Sequence, residues 1–180
     1  MNHLIVTFIS LLLYLPSISQ NYTPADNGSK VHFSIKNFGV NTGGDFSHLR
    51  GQIDFNPQNL AVSSFSVTVD VSTVDTDSET RDGHLRGENY FDAEKFPVIS
   101  IKSTKISATN KSGVYNFAGL LTMHGVTKEF FFPFTATPQG GDYVFAGEFE
   151  LNRLEYSVGE SSAVMSKTVK VSLSVLAKKS

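Results

Sequence analysis

Residues 126–136 read VTKEFFFPFTA, and residues 142–152 read DYVFAGEFELN. Apolar and polar side chains alternate along both segments, and three of the four Phe residues of the first segment share one face. A period of two is typical of a β-strand with one face on a core and the other in water. Because the turn signal Gln139-Gly140-Gly141 stands between the segments, they are predicted to form two consecutive strands.

Six further segments alternate in the same way, namely 31–37, 45–55, 63–71, 98–106, 114–123 and 167–177. Strands that are apolar on one face only are typical of antiparallel sheets, since buried parallel strands are apolar on both faces. Eight such strands can close into a barrel or split into a sandwich, and closure removes the exposed edges. Pro133 lacks an N–H, so it predicts a bulge or a gap in the ladder.

One helical segment, residues 79–86 (ETRDGHLR), interrupts the strands between the third and the fourth. Asp77 or Ser78 is placed to cap it, and the four-residue spacing of Asp82 and Arg86 allows an ion pair. The connection that carries this helix is long, from about residue 71 to residue 97, and is predicted to cover one mouth of a barrel.

The composition excludes several classes of function. The 180-residue chain has no Cys and a formal net charge of -2, with 15 Lys and Arg against 17 Asp and Glu. Disulfide scaffolds, thiolate metal sites and a Cys nucleophile are therefore excluded, and charge gives no case for binding nucleic acid. The 15 Phe residues and the absence of Trp indicate a large apolar interior. Periodicity alone leaves open whether the inward rings fill that interior or line a cavity.

The N-terminus predicts export. Residues 4–15 (LIVTFISLLLYL) form an apolar run that is too short to cross a bilayer, and Pro16 ends it. Ser17 and Ser19 supply the small-x-small pattern of a signal peptidase site. We predict a signal peptide over residues 1–19, followed by one domain over residues 20–180, although residues 1–3 carry no Lys or Arg.

Catalytic and metal-binding patterns are sparse. The five His residues form no HxH or HExxH spacing, and no Ser lies in a recognisable nucleophile context. His84 could act as a general base on the predicted helix, but a polar helix that docks through Leu85 is the simpler interpretation. His124 before Gly125 is more typical of a hairpin turn than of a metal ligand. We therefore predict no catalytic residue, no metal and no cofactor.

Four blocks in the chain resemble the YceI-like family of polyisoprenoid-binding proteins. They are residues 30–40 (KVHFSIKNFGV), 81–86 (RDGHLR), 119–128 (GLLTMHGVTK) and 151–159 (LNRLEYSVG). Each block alone is a weak signal, but together and in this order they are specific, and the resemblance extends over about residues 24–178. It implies an all-β fold, a lipocalin-like eight-stranded antiparallel up-and-down barrel with one short helix between strands three and four.

The resemblance also implies a function: non-catalytic binding and carriage of a long isoprenoid lipid, such as a polyprenyl or quinone tail. It implies a periplasmic or secreted protein, with transient membrane contact possible and the oligomeric state unknown. Taken with the inward faces of the strands, it predicts that the cavity is lined by Phe33, Ile35, Ile53, Phe55, Phe65, Val67, Val69, Leu85, Phe91, Ile99, Ile101, Phe117, Leu121, Phe130, Phe132, Phe134, Phe145, Phe149, Val171 and Leu173.

Two alternatives remain open at this stage. One is a barrel with a filled core that acts through its surface, as an interaction protein of an envelope stress response. The other is an enzyme that modifies a lipid or its quinone head through His84 or His124.

Overall fold

The computed structural model describes residues 20–180, and its strands form one antiparallel sheet. The strands are β1 (Gln20–Pro24), β2 (Lys30–Asn37), β3 (Val40–Phe55), β4 (Ser64–Asp75), β5 (Val98–Ala108), β6 (Val114–Met123), β7 (Val126–Gln139), β8 (Asp142–Asn152) and β9 (Met165–Lys179). The helix is α1 (Glu79–Arg86), and two 3-10 turns occupy Leu60–Val62 and Arg153–Tyr156. The signal peptide predicted for residues 1–19 lies outside the described residues.

The sheet closes on itself as an up-and-down barrel. From β2 to β9 each strand pairs with its neighbours in sequence, and β9 pairs with β2. The predicted eight-stranded antiparallel barrel is therefore confirmed. The short β1 pairs with β3 and β9, which are also the two neighbours of β2. It therefore occupies the same place in the barrel as β2, from which the turn at residues 25–29 separates it.

The sequence prediction missed β1, and it placed the helix between strands three and four. With β1 counted, α1 lies between β4 and β5. The segment QNYTP escaped prediction because it is five residues long and its buried face consists of Tyr22 and Pro24, too few positions to show a period.

A bulge in β3 changes which side chains face inward. His48 has a φ of 56°, and the register with β4 shifts on both sides of Ser47. As a result Phe46 and Leu49, which strict alternation would place on opposite faces, are both buried. Alternation predicted the inward positions of Leu49, Ile53 and Phe55, but it missed Phe46.

At Pro133 the structure shows a gap, which was one of the two predicted outcomes. Pro133 pairs with Asn116 of β6 without a shift in register. The register of β7 with β8, in contrast, begins at Phe134 and ends at Gln139. Among the residues that the structure describes, the earlier half of β7 therefore has a ladder on one side only.

The two ends of the barrel differ. The helix end carries the β2–β3 turn, α1, the β6–β7 turn and the connection from β8 to β9. Towards the opposite end, aromatic rings fill the interior edge to face, with centroid distances of 5.3 Å for Phe55–Phe145, 5.2 Å for Phe65–Phe145 and 5.4 Å for Phe65–Phe134. This aromatic plug closes the lower half of the barrel and leaves the helix end as the place for a site.

Candidate functional site

The helix-end half of the barrel encloses an apolar cavity of about 180 Å³. Aliphatic side chains supply most of its wall, since strands rich in Val, Ile and Leu face inward there. The wall consists of Val31, His32, Phe33, Ile35, Phe46, Leu49, Val67, Thr68, Val69, Leu85, Tyr90, Phe91, Ile99, Ile101, Leu121, Met123, Phe149, Leu151, Arg153, Val158, Met165, Val169, Val171, Leu173 and Val175.

The structure divides the predicted cavity residues between this wall and the aromatic plug. Twelve lie on the wall: Phe33, Ile35, Val67, Val69, Leu85, Phe91, Ile99, Ile101, Leu121, Phe149, Val171 and Leu173. Six others, Ile53, Phe65, Phe117, Phe132, Phe134 and Phe145, border a smaller void of about 60 Å³ below it. Phe55 and Phe130 border neither void and pack against other rings. Most Phe rings therefore fill the barrel, and aliphatic side chains line the cavity.

The two voids are adjacent. Val67, Ile101, Leu173 and Val175 border both of them. Displacement of these four side chains would therefore extend the upper cavity towards the plug.

Sequence reasoning missed two kinds of wall residue. Some lie on strand faces that alternation had already identified, and the pattern could have supplied them: Val31, Leu49, Met123, Leu151, Val169 and Val175. Others come from the bulge, from the connections or from a strand end, where no period applies: Phe46, Tyr90, Arg153, Val158 and Met165.

The connection between β4 and β5 covers the cavity and contributes Leu85, Tyr90 and Phe91 to it. Its start is held by Asp82, which is 7% exposed and accepts hydrogen bonds from the backbone N and the hydroxyl of Thr76, the first at 2.9 Å. Arg81 also donates to Thr76, through Nε to the hydroxyl at 2.7 Å. Asp82 therefore bonds Thr76 rather than Arg86, the ion-pair partner that spacing suggested.

Arg153 is a buried cation at the edge of the cavity. It is 3% exposed, and it donates to three backbone carbonyls: Nε to Ser166 at 3.0 Å, Nη1 to Val158 at 2.8 Å and Nη2 to Glu160 at 2.8 Å. Burial lowers the pKa of the guanidinium below its ordinary value, and Tyr90 opposes that shift. Three of the five N–H donors are thus used to fold the connection from β8 to β9 over the barrel.

A polar vestibule of about 310 Å³ adjoins the cavity and shares Arg153 and Met165 with it. Its wall consists of Lys36, Arg153, Leu154, Ser161, Ser162, Ala163, Val164, Met165, Ser166 and Lys167. Among residues 20–180, this wall contains three cationic side chains and no carboxylate. The helix end therefore places a cationic vestibule next to an apolar interior.

Neither histidine of the enzymatic alternative borders the cavity. His84 is exposed on α1. His124 lies in the β6–β7 turn and packs edge to face on Phe96 with a centroid distance of 5.0 Å. Across residues 20–180 no group of three side chains is arranged to hold a metal ion. Within the same residues, none of the helices has the length and apolarity needed to cross a bilayer.

The family model for the YceI-like domain matches residues 22–177. The chain belongs to the YceI-like family. This match confirms the resemblance carried by the four sequence blocks.

Curated relatives and solved structures agree with that membership. A UPF0312 protein of Vibrio cholerae is 30% identical over 146 residues, which cover 76% of this chain and 77% of that protein. A UPF0312 protein of Yersinia pestis is 34% identical over 113 residues, which cover 62% of this chain and 58% of that protein, so the match spans little more than half of its length.

Two solved structures show the same fold. Burkholderia cenocepacia BcnA superposes with a TM-score of 0.80 at 25% identity, covering 85% of this chain and 98% of that one. A polyisoprenoid-binding domain from Saccharophagus degradans, implicated in plant cell wall breakdown, superposes with a TM-score of 0.72 at 16% identity, covering 88% of this chain and 98% of that one.

Proposed function

We propose that this YceI-like barrel binds a long-chain isoprenoid lipid, a polyprenyl or quinone tail, and carries it without chemical change in the periplasm or outside the cell. The observation that carries the proposal is the apolar cavity at the helix end, which opens beside a polar vestibule. The polyisoprenoid-binding relative from Saccharophagus degradans supports the choice of ligand class.

The physical basis is the transfer of hydrocarbon from water into an apolar tube. At about 0.8 kcal/mol per buried CH₂, one five-carbon unit contributes roughly 4 kcal/mol before ordering costs. The branched methyl groups of an isoprenoid suit a wall of Val, Ile and Leu, since all of these groups are apolar and make no demand for hydrogen bonds. The polar end of the lipid would lie at the vestibule, beside the cationic side chains of Lys36 and Lys167.

The size of the cavity sets a condition on this proposal. A void of about 150 Å³ in another protein binds one benzene molecule, so a void of similar size accommodates little more than one isoprene unit. A longer tail must displace side chains, and the smaller void beneath the cavity gives the direction. Affinity for polyprenyl chains is therefore expected to rise with chain length until the displaced region is full.

Filling the cavity tests the proposal. Val69 faces the cavity and is buried, whereas Val98 is exposed on the outside of β5. We expect Val69→Phe to lower the affinity for a polyprenyl quinone at least tenfold, because the ring occupies the space of the tail, and Val98→Phe to leave it unchanged. Gel filtration with bound quinone measured by absorbance gives the affinity, and circular dichroism shows that both variants fold. Equal binding by the two folded variants would contradict the proposal.

A further inference from the structure

Three apolar side chains stand out from the helix end of the barrel. Phe38 is 75% exposed and Val40 66% exposed at the β2–β3 turn, and Val164 is 44% exposed in the connection from β8 to β9. The backbone N of Phe38 donates to the carbonyl of Val164 at 2.9 Å, so the turn and the connection are joined. Together these three residues form the tip of the barrel.

The conformation of the turn presents Phe38 to solvent. Asn37 pairs with Val40, so Phe38 and Gly39 alone form the loop, with φ angles of 51° and 77°. Two positive φ angles define a tight hairpin turn that favours Asn or Asp before Gly, and a bulky aromatic residue is uncommon at the first position. Neither folding preference nor burial therefore accounts for a phenylalanine here.

Two lysines flank the tip. Ile35 pairs with Val169 and Asn37 with Met165, and the register shifts between these pairs, so Lys36 of β2 and Lys167 of β9 both lie in this irregular stretch. Both border the vestibule, and neither forms an ion pair within residues 20–180. The chain as a whole has a formal net charge of -2, so this local positive charge is not a general property of the surface.

The tip is continuous with the vestibule. Val164 borders the vestibule, and the next residue, Met165, borders both the vestibule and the cavity. Exposed apolar side chains with lysines around them match the boundary of an anionic bilayer, where rings enter the acyl region and ammonium groups meet phosphate. A protein partner would require a larger apolar area than three side chains supply.

We propose that the tip is a membrane-docking site: Phe38, Val40 and Val164 insert into a bilayer, while Lys36 and Lys167 contact anionic headgroups and hold the vestibule against the lipid surface. The site is independent of what the cavity holds, so it stands or falls separately from the lipid-binding proposal.

The absence of Trp from the chain allows a direct test. Phe38→Trp introduces one fluorophore at the tip, and Phe131→Trp introduces one at a matched exposed position on the side of the barrel, where Phe131 is 70% exposed. The probe is vesicles of phosphatidylcholine and phosphatidylglycerol in equal parts, compared with phosphatidylcholine alone. On the mixed vesicles, we expect the emission of Phe38→Trp to shift to shorter wavelength. Lipids brominated in their acyl chains should quench this emission. The emission of Phe131→Trp should not change.

The unmodified protein gives a second measurement, sedimentation with the same vesicles. Phe38→Ser should abolish sedimentation, and Lys36→Gln and Lys167→Gln should each weaken it about fivefold, an effect that added salt also produces.

Equal responses of the two Trp variants, or sedimentation that does not depend on Phe38, would overturn the proposal. A dimer that forms without lipid and is lost in Phe38→Ser would overturn it as well, since the tip would then be an interface between copies. The Val69→Phe variant should still sediment, which separates this site from the cavity.

Discussion

At the scale of single residues, Arg153 shows how a buried charge shapes the helix end. Arg153 is buried and forms no ion pair with a carboxylate of the described chain, and its three carbonyl partners lie in the segment that follows it. A planar guanidinium can serve three acceptors at once, which the single ammonium of lysine cannot do at these separations. Arg153 therefore has a structural role in addition to its place on the cavity wall.

Gly51 and Gly83 should respond to alanine in opposite directions. Gly51 has a φ of 128°, and a Cβ there would lie 2.0 Å from the backbone O of Ser66 on the neighbouring strand. Gly83 lies in α1 and has nothing within 4 Å of its Cβ position. We expect Gly51→Ala to lower the free energy of unfolding by at least about 2 kcal/mol, and Gly83→Ala to raise it by up to about 1 kcal/mol. Urea unfolding followed by circular dichroism measures both changes. Similar stability of the two variants would show that the β3–β4 approach is not as close as described.

At the scale of elements, the buried carboxylate of Asp82 holds the start of the covering connection. Asp82 accepts from Thr76, and this bond fixes the start of α1 over the cavity. In Asp82→Ala the buried backbone N–H of Thr76 loses its acceptor, which costs about 1–3 kcal/mol. We expect hydrogen exchange of the amides in residues 76–91 to accelerate about tenfold or more. The control is Glu79→Ala, an exposed change in the same helix. Unchanged exchange in Asp82→Ala would mean that other contacts hold the cover.

The strands also show where sequence reasoning succeeds and where it fails. Residues 114–123 and 142–152 were predicted with the bounds that the structure has, because their alternation is uninterrupted. Phe46 was missed because a bulge at His48 reverses the alternation, and a bulge has no period to detect. The helix was placed correctly over residues 79–86, and Ser78 takes the N-cap position, but its side chain makes no capping hydrogen bond.

The division between cavity and plug could not be predicted, because it depends on position along the barrel axis. Phe33 and Phe149 border the cavity, whereas Phe65 and Phe117 border the lower void. All face inward, and alternation identifies only that shared property. Ring packing between strands far apart in sequence decides which rings meet and which leave space.

For the whole molecule, one end of the barrel joins three features: an apolar cavity, a cationic vestibule and an apolar tip. The opposite end is filled by aromatic rings. In a lipid carrier, the helix end would admit the chain and the aromatic plug would close the tube below it.

Native mass spectrometry of the protein purified after export, followed by extraction and identification of any bound lipid, would show whether the barrel carries a lipid. We expect a mass that exceeds that of the chain by one polyprenyl compound at a ratio of one to one. A mass equal to that of the chain alone, unchanged after incubation with polyprenyl quinones, would contradict this expectation and favour a barrel that acts through its surface.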